Sequence, residues 1–554
     1  MTVRQDVTVR ARRARSRALT LLGLSALCFL ATLVLSACGP KVGESSPTTG
    51  AASPHRGGSL VFVSGYEPRT LDPVTSWDLN TLVNIFDTLY EYEGKPGAAG
   101  LKLLPALAAS MPRVSADGRT YLIRLRHGVR FAPPVNREVT ADDVQYSFER
   151  LLRHPESWCT FFYNNVDGVR EFIAGEGDHL RGLRVADPYT VEFRLIDPDP
   201  AFINTLAMWF CGVVPREWVA KWGRQFARHP LGSGPYMLDK WEPGTWIILK
   251  RNPNYSGAAP AWLDEVKLSL SSPSPERDLM RLLRGEVDFV SLSHETYVQA
   301  KSMPGLSKYL FWDTFVACDV VLMNAQMRPF DDVRVRRAVC WAIDRERIAR
   351  LAGEFPLWQI YPPGMPGYDP DVKYYGYDPA KARSLLAEAG YPDGLDTTLF
   401  APGGGDTKLA QAVQNDLKAV GIRAKIRLVP PETYWTVLST PHTAPMAMRW
   451  WAMDYPDPYD WIMPFFTKAA AVKDGSNHSF WWDPKLEAML VEAQRTFDPA
   501  ARLAKYREMQ AFISDQAPAV PLASGAMGGL VSRRVGGFFF HQVYSLLYGY
   551  YWRQ

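Results

Sequence analysis

The chain is poor in the residues that bind metals and drive hydrolysis. Nine histidines are scattered over 554 residues, and neither His478 nor His541 has a motif around it. There is no G-x-S-x-G and no H-E-x-x-H, so the common serine-hydrolase and zinc-protease signatures are missing. The six cysteines are widely spaced with no histidine close by, which argues against a zinc site. After residue 37 no apolar run is long enough to span a bilayer, which excludes a polytopic membrane protein. Charged residues make up 22% and hydrophobic residues 47%, a globular balance that excludes a disordered or collagen-like chain. Internal repeats are absent. What the chain has in quantity is aromatic residues, 12% including 18 tryptophans, enough to fill large cores or line pockets for flat or apolar groups.

The N-terminus reads as an address. Arg4, Arg10, Arg12, Arg13, Arg15 and Arg17 face the single acid Asp6, and Ala18 to Leu35 then runs without a charge. A basic region, an apolar stretch and small residues before a cut site make a secretory signal over 1–37. The ending Leu35-Ser36-Ala37-Cys38 resembles the lipobox of bacterial lipoproteins, which implies cleavage before Cys38 and a lipid on its sulfur. A permanent membrane anchor is the alternative, since 18 apolar residues just span a bilayer. Arg12-Arg13 leaves Sec and twin-arginine export both open. Six of the 62 basic residues and one of the 58 acids precede residue 38, leaving 56 against 57 and a mature net charge of −1. Nucleic-acid binding thereby loses its compositional support. Gly39 to Pro54, rich in Gly, Ser, Thr and Pro, reads as a flexible tether, so 38–56 links the lipid to a soluble body. Four cysteines remain there. Cys159–Cys211 and Cys318–Cys340 are the local disulfide choices, and free thiols stay equally open.

Along the body, Gly58 to Val63 reads as an opening strand, followed by a turn-rich stretch to Pro73. Thr140, with Asp143 three residues on, starts a helix. Gly232-Ser233-Gly234-Pro235-Tyr236 lacks the Lys-Ser/Thr ending of a phosphate loop, so it reads as a turn before a hairpin over Met237 to Lys250. Val335, Ala338, Val339 and Ala342 share one face of a helix opened by Asp331-Asp332, with Arg334, Arg336 and Arg337 on its polar side. Asp378-Pro379 opens another helix that Gly390 closes. A strand at Thr397 to Phe400, a helix ending at Gly421, and a strand in which Ile422, Ala424, Ile426 and Leu428 alternate with Arg423, Lys425 and Arg427 make a β-α-β unit. The class is mixed α/β.

Nine short blocks occur in a definite order. They are Glu67-Pro68-x-Thr70-Leu71-Asp72-Pro73, Pro105-Ala106-Leu107-Ala108 with Asp117-Gly118 and Thr120-Tyr121, Arg124-x-Arg126-x-Gly128-Val129-x-Phe131, Thr140 to Val144, Gly232 to Tyr236, Arg251-Asn252-Pro253-x-Tyr255, Asp331 to Arg336 with Ala338, Ala342-Ile343-Asp344-Arg345, and Asp454-Tyr455-Pro456-Asp457-Pro458. Together they resemble the large extracellular solute-binding proteins of ABC importers, family 5, the oligopeptide/dipeptide binders. The resemblance implies a bilobal periplasmic-binding-protein-like clamshell, with mixed sheets, flanking helices and an extra inserted subdomain. Lobe I would comprise 57–90, 210–317 and 520–554, the inserted subdomain 91–209, and lobe II 318–519. It further implies a monomer without cofactor or catalysis. Such a protein is exported, lipid-anchored to the cell membrane, faces the periplasm or cell exterior, and delivers ligand to ABC permease subunits.

The same resemblance implies site residues. In peptide binders of the family an aromatic-x-x-Asp segment faces the cleft and its Asp neutralises the ligand's α-ammonium; Trp451 and Asp454 hold those places. An enclosed ammonium needs a carboxylate partner, although Asp454 also reads as a turn acid and the tryptophans as core. Trp77, Asp78 and Leu79 hold the place where relatives pair main chain with an extended ligand, or else a surface turn before a helix. Tyr163, in the cluster Trp158, Phe161, Phe162 and Tyr163, holds the place of an aromatic over the ligand, or else of subdomain core. Within this fold the ligand is a di- or oligopeptide; a nickel chelate, haem, an opine or an oligosaccharide is the alternative, and a secreted hydrolase the remote one.

Overall fold

The computed structural model describes residues 53–270, 274–404 and 407–554. The expected signal peptide, Cys38 and most of the tether lie outside the described residues. Among the described residues no helix is long and apolar enough to cross a membrane.

The opening strand forms as Ser59–Val63, where valine and phenylalanine suit a pleated, half-buried surface. It pairs in parallel with Glu265–Ser269, Leu60 against Val266 and Phe62 against Leu268. An eleven-stranded sheet extends on both sides. To one side lie Glu265–Ser269 and then the expected hairpin, Trp246–Arg251 and Tyr236–Glu242. To the other lie Phe289–Leu292, Ala519–Val531, Leu310–Met323, Met446–Ala452, Leu395–Pro402 and, at the edge, Ile422–Val429; Phe355–Pro356 pairs separately with Ala519–Val531.

Two of these strands are long, 14 residues in Leu310–Met323 and 13 in Ala519–Val531, each roughly 45 Å at the usual rise. They run antiparallel through the middle of the sheet, with irregular register between Thr314 and Cys318 and again between Asp319 and Val320. Gly528 stands opposite Trp312 because the indole lies over it: a Cβ there would come within 2.2 Å of the ring.

A separate four-stranded antiparallel sheet runs in the order Arg113–Val114, Thr120–Arg124, Thr190–Arg194, Leu183–Asp187. The helix Ala141–Arg153 covers it, with Val144, Phe148, Leu151 and Leu152 buried. As expected, Thr140 opens this helix: the Asp143 carboxylate accepts from the Thr140 backbone N–H at 3.0 Å and from its hydroxyl at 3.2 Å. The β-α-β unit is Leu395–Pro402, Lys408–Ala419, Ile422–Val429, the strands parallel from Leu395 against Ile422. Gly421 turns the chain between helix and strand at φ +92°, a conformation costly for any side chain. The helices Val333–Ala342 and Pro379–Glu388 also form with the expected Asp332 and Asp378 caps.

Two expectations change and one open choice is decided. Leu428 is 52% exposed while Val429 is buried. Ile422 and Ala424 pack in the core that contains Val413 and Leu417 of the helix Lys408–Ala419, whereas Val429 joins Phe400, Tyr434 and Leu438 in a different cluster. Arg336 does not sit on a solvated face. It is buried, and its guanidinium donates to the carbonyls of Gln516 at 3.0 Å and Phe330 at 2.8 Å; only Arg334 and Arg337 pair at the surface, with Asp332 and Asp515. The thiols of Cys159, Cys211, Cys318 and Cys340 are all free, so neither local disulfide forms. Cys318 and Cys340 belong to different apolar cores, and the Cys211 sulfur lies 2.7 Å from the Tyr163 hydroxyl. Burial pushes the thiols of Cys159, Cys318 and Cys340 up to about 12, which leaves them unreactive.

Candidate ligand site

The strand Met446–Ala452 is held antiparallel to the long strand Leu310–Met323, with Trp451 opposite Cys318 and Ala452 opposite Ala317. One further bond, Met453 N–H to the Val316 carbonyl at 2.8 Å, closes this pairing. The chain then leaves the sheet as Asp454-Tyr455-Pro456-Asp457-Pro458 and enters the helix Tyr459–Phe466. This turn brings Asp460 back to Asp454: the Asp460 carboxylate accepts the Asp454 backbone N–H at 2.9 Å. Between them in sequence, Asp457 is bound by Arg502, with Nη2 to Oδ1 at 2.9 Å. Asp454 and Asp460 have no such partner: among the described residues no arginine or lysine makes an ion pair with either. Burial raises both carboxyls above the ordinary carboxylate range, and the charge of Asp454 raises Asp460 further.

Trp451 is half-buried and meets Phe465 edge-on at 5.6 Å. Its indole N–H has no hydrogen-bond partner. The Arg449 guanidinium lies 4.9 Å from the Trp451 ring centroid and donates to the Ser476 carbonyl at 2.9 Å. It also lies 2.5 Å from Nδ1 of His478. Burial brings Arg449 down to about 10 and drives His478 well below its ordinary value, so this histidine is neutral and structural. His541 is likewise buried, its Nδ1 accepting from the backbone N–H groups of Val543 and Tyr544.

Trp77 is 60% exposed, and its ring stacks on Trp158 at 3.4 Å and 16°. Both line a cavity of about 1070 Å³ together with Tyr66, Asp78, Arg150 and His154. Asp78 is buried and caps the helix Leu79–Ile85, accepting from the Thr81 N–H at 3.4 Å. The Asp78 N–H is taken by Ser76 Oγ and the Leu79 N–H by the Trp77 carbonyl. Two of the three amides expected to pair with ligand main chain are therefore engaged within the protein, and it is the Trp77 ring that faces the cavity.

Tyr163 is fully buried. Its hydroxyl donates to the Thr205 carbonyl at 2.9 Å, and its ring packs edge-on against Phe148 at 4.7 Å. In this structure it packs as core of the segment 91–209 and does not line the 1070 Å³ cavity. The neighbouring residues make the link instead. Trp158 carries the stack with Trp77, Cys159 feels the charge of Asp454, and Phe162 meets Tyr455 at 6.1 Å. The stretch 158–162 thus touches the Trp77 side and the Asp454 side, although Trp451 and Asp454 do not line the 1070 Å³ cavity.

Residues 102–473, more than half of the chain, match the bacterial extracellular solute-binding proteins, family 5 Middle. The chain belongs to that family. As a family 5 solute-binding protein it is 28% identical to the dipeptide-binding protein of Escherichia coli (strain K12), over 90% of this chain and 95% of the relative. Its fold matches the clavulanic acid biosynthesis oligopeptide binding protein 2 with a TM-score of 0.83 and 27% identity, covering 90% and 95% of the two chains. It matches an ABC transporter-associated periplasmic binding protein from Helicobacter pylori in complex with the peptide STSA with a TM-score of 0.72 and 26% identity, covering 90% and 98%. The mixed α/β fold of periplasmic binding proteins is thereby established for this family 5 chain. Sequence reasoning missed Asp460. The signal that points to it is the pair of prolines, Pro456 and Pro458, which turn the chain back on itself six residues after Asp454.

Proposed function

We propose that this chain is the substrate-binding lipoprotein of an ABC transporter, capturing di- and oligopeptides between two lobes and handing them to permease subunits of the inner membrane. The observation that carries the reading is Asp454, a carboxyl beside Trp451 with no ion-pair partner among the described residues. A peptide's α-ammonium supplies the missing cation. The names of the dipeptide- and oligopeptide-binding relatives point the same way. Trp77, exposed and stacked on Trp158 in the neighbouring cavity, offers the ligand an aromatic face.

The lobes are 57–90, 210–317 and 520–554 for the first and 318–519 for the second, with 91–209 inserted. Support for these bounds comes from the clustering of the strands at 59–63, 236–251 and 265–269 at one end of the sheet and those at 395–452 at the other. The two long strands are the hinge. Cys38 carries the lipid, the body faces the periplasm or cell exterior as a monomer, and the protein carries its ligand without altering it.

Isothermal calorimetry with dialanine and trialanine tests the reading, with N-acetylated peptides as controls. Asp454→Asn is expected to weaken free-amine peptides at least tenfold, a difference of about 1.4 kcal/mol. N-acetylation is expected to do the same to the native protein. Full affinity for both the variant and the acetylated peptide would overturn it. A flat chelate or a sugar ring is the second reading, favoured by the exposed Trp77 face stacked on Trp158. Mass spectrometry of the ligand that co-purifies decides between them.

A further inference from the structure

The Asp454–Asp460 pair is unlike the other acids of its turn. Asp457, three residues from each, is held by Arg502 from the helix Pro499–Gln516. Asp460 is 1% exposed. Its carboxylate accepts the Asp454 N–H at 2.9 Å, which holds the two acids together, and the charge of Asp454 acts on it directly. Two acids tied together through the Asp454 N–H, one of them enclosed and neither with an ion-pair partner, do not both ionise at ordinary cost; one proton is retained by the pair.

Among the described residues no cation acts on the pair from another element. The segment 157–163 contributes the neutral thiol of Cys159. Tyr92 feels the charge of Asp457 and Asp460, and Asp199 adds negative charge near Tyr455. Arg502 is committed to Asp457. Arg449 lies against the ring of Trp451 and bonds the Ser476 carbonyl.

We propose that Asp454 and Asp460 share one proton before ligand docks and release it to solvent when an α-ammonium group binds, so that peptide capture is coupled to proton release with Asp460 as the positioning residue. The inference rests on the reading of Asp454 as the ammonium's partner. The balance is simple: a carboxyl O–H bond breaks, the proton leaves to the buffer, and the carboxylate left behind faces the incoming cation. No group is oxidised or reduced. The second acid raises the threshold for entry. A neutral ligand leaves the proton in place and finds a hydrogen-bonded pair already satisfied, whereas a cation replaces the proton. Asp460 thereby favours ligands with a free amine over isosteres without charge.

Calorimetric titration of the mature protein with dialanine at pH 6, in buffers of different ionisation enthalpy, reads the protons released per peptide. The α-amino group of the peptide has a pKa of about 7.7–8.0, so it is already a cation and contributes no proton at that pH. Release approaching about one proton is expected, with affinity rising up to roughly tenfold per pH unit between about pH 5 and 7. Asp460→Asn, which keeps an oxygen for the Asp454 N–H but cannot share a proton, is expected to bring release near zero and flatten that profile. Equal heats in every buffer with the native protein would overturn the inference, and need no variant to fold. If Asp454→Asn still loses affinity in that case, the ammonium reading survives alone; if Asp454→Asn binds as the native protein does, that reading fails too.

Discussion

At the scale of single residues, neighbours in sequence do different work at this site. Trp77 and Asp78 are adjacent, but one is 60% exposed and the other 5%. Asp78 is a helix cap, whose loss costs typically about 0.5–2 kcal/mol. Trp77 loses about 0.5–1.5 kcal/mol of stacking against Trp158 when truncated, and the ring beneath stays wet. The two alanine variants should therefore separate. Asp78→Ala is expected to lower the urea midpoint and, through the helix, everything that rests on it. Trp77→Ala is expected to leave the unfolding free energy within about 1.5 kcal/mol of native while removing the change in tryptophan fluorescence on adding ligand. A Trp77→Ala protein that retains the native fluorescence response would place the ligand away from this ring. Tyr163 shows why residue type alone does not reveal the cavity wall. Trp158 and Tyr163 stand five positions apart in one aromatic cluster, and only depth distinguishes the half-buried ring that stacks on Trp77 from the core ring whose hydroxyl is bonded to Thr205 and Cys211.

At the scale of elements, the long strands tie the two ends of the sheet together, and their packing is set by a few close approaches. Gly528→Ala drives a methyl group against the Trp312 indole, within 2.2 Å of its ring. Overpacking of this kind costs about 1–3 kcal/mol. A double-mutant cycle with Trp312→Leu, followed by urea denaturation, is expected to recover most of that loss, because the coupling is a contact and not a backbone strain. Additive losses would show that Gly528 matters for conformation instead. Much of this level was legible in sequence. Caps at Thr140, Asp332 and Asp378, alternation in Ile422 to Ile426 and the breaker at 232–236 are local signals, and each produced its element. What was not legible depends on which second element arrives. Leu428 fits the inward pattern but packs in neither the core of the helix Lys408–Ala419 nor the cluster around Val429. Arg336 has a surface residue's identity but meets the carbonyls of Phe330 and Gln516. Asp454 and Trp451 were named by the resemblance of their segment to the family's aromatic-x-x-Asp pattern, whereas Asp460 meets Asp454 only through the fold of the turn.

At the scale of the molecule, buried ionisable groups determine how stability responds to pH. Burial raises Asp87 to about 6, Glu91 to about 7 and Asp199 to about 6. It raises both members of the Asp454–Asp460 pair, and of the Asp319–Glu354 pair that sits where the long strand changes register. In the unfolded chain these carboxyls titrate near 3.9 for Asp and 4.3 for Glu. Between about pH 4 and 7 the native state therefore holds more protons than the unfolded one, and stability falls as pH rises through that window. Four histidines, His154, His229, His478 and His541, are lowered by burial and act the other way. His541 is lowered to about 4 and His478 well below its usual value, so below about 6.5 the unfolded chain takes protons that the native state refuses. Acids held low by arginine, such as Asp332 beside Arg334 and Asp396 beside Arg423, lose their contribution only below about pH 4. Raised carboxyls outnumber lowered histidines, so the melting midpoint of the ligand-free protein is expected to be highest near pH 5 and to decline steadily to pH 7.5, as scanning calorimetry at constant ionic strength would show. Asp460→Asn and Glu354→Gln should each make that decline shallower by removing a proton that the native state alone retains. A saturating free-amine peptide should raise the midpoint more at pH 7 than at pH 5, since its cation offsets the charge that neutral pH forces on Asp454. A midpoint that instead climbs from pH 5 to 7.5 would mean that the buried carboxyls are neutralised by partners absent from this arrangement of the chain.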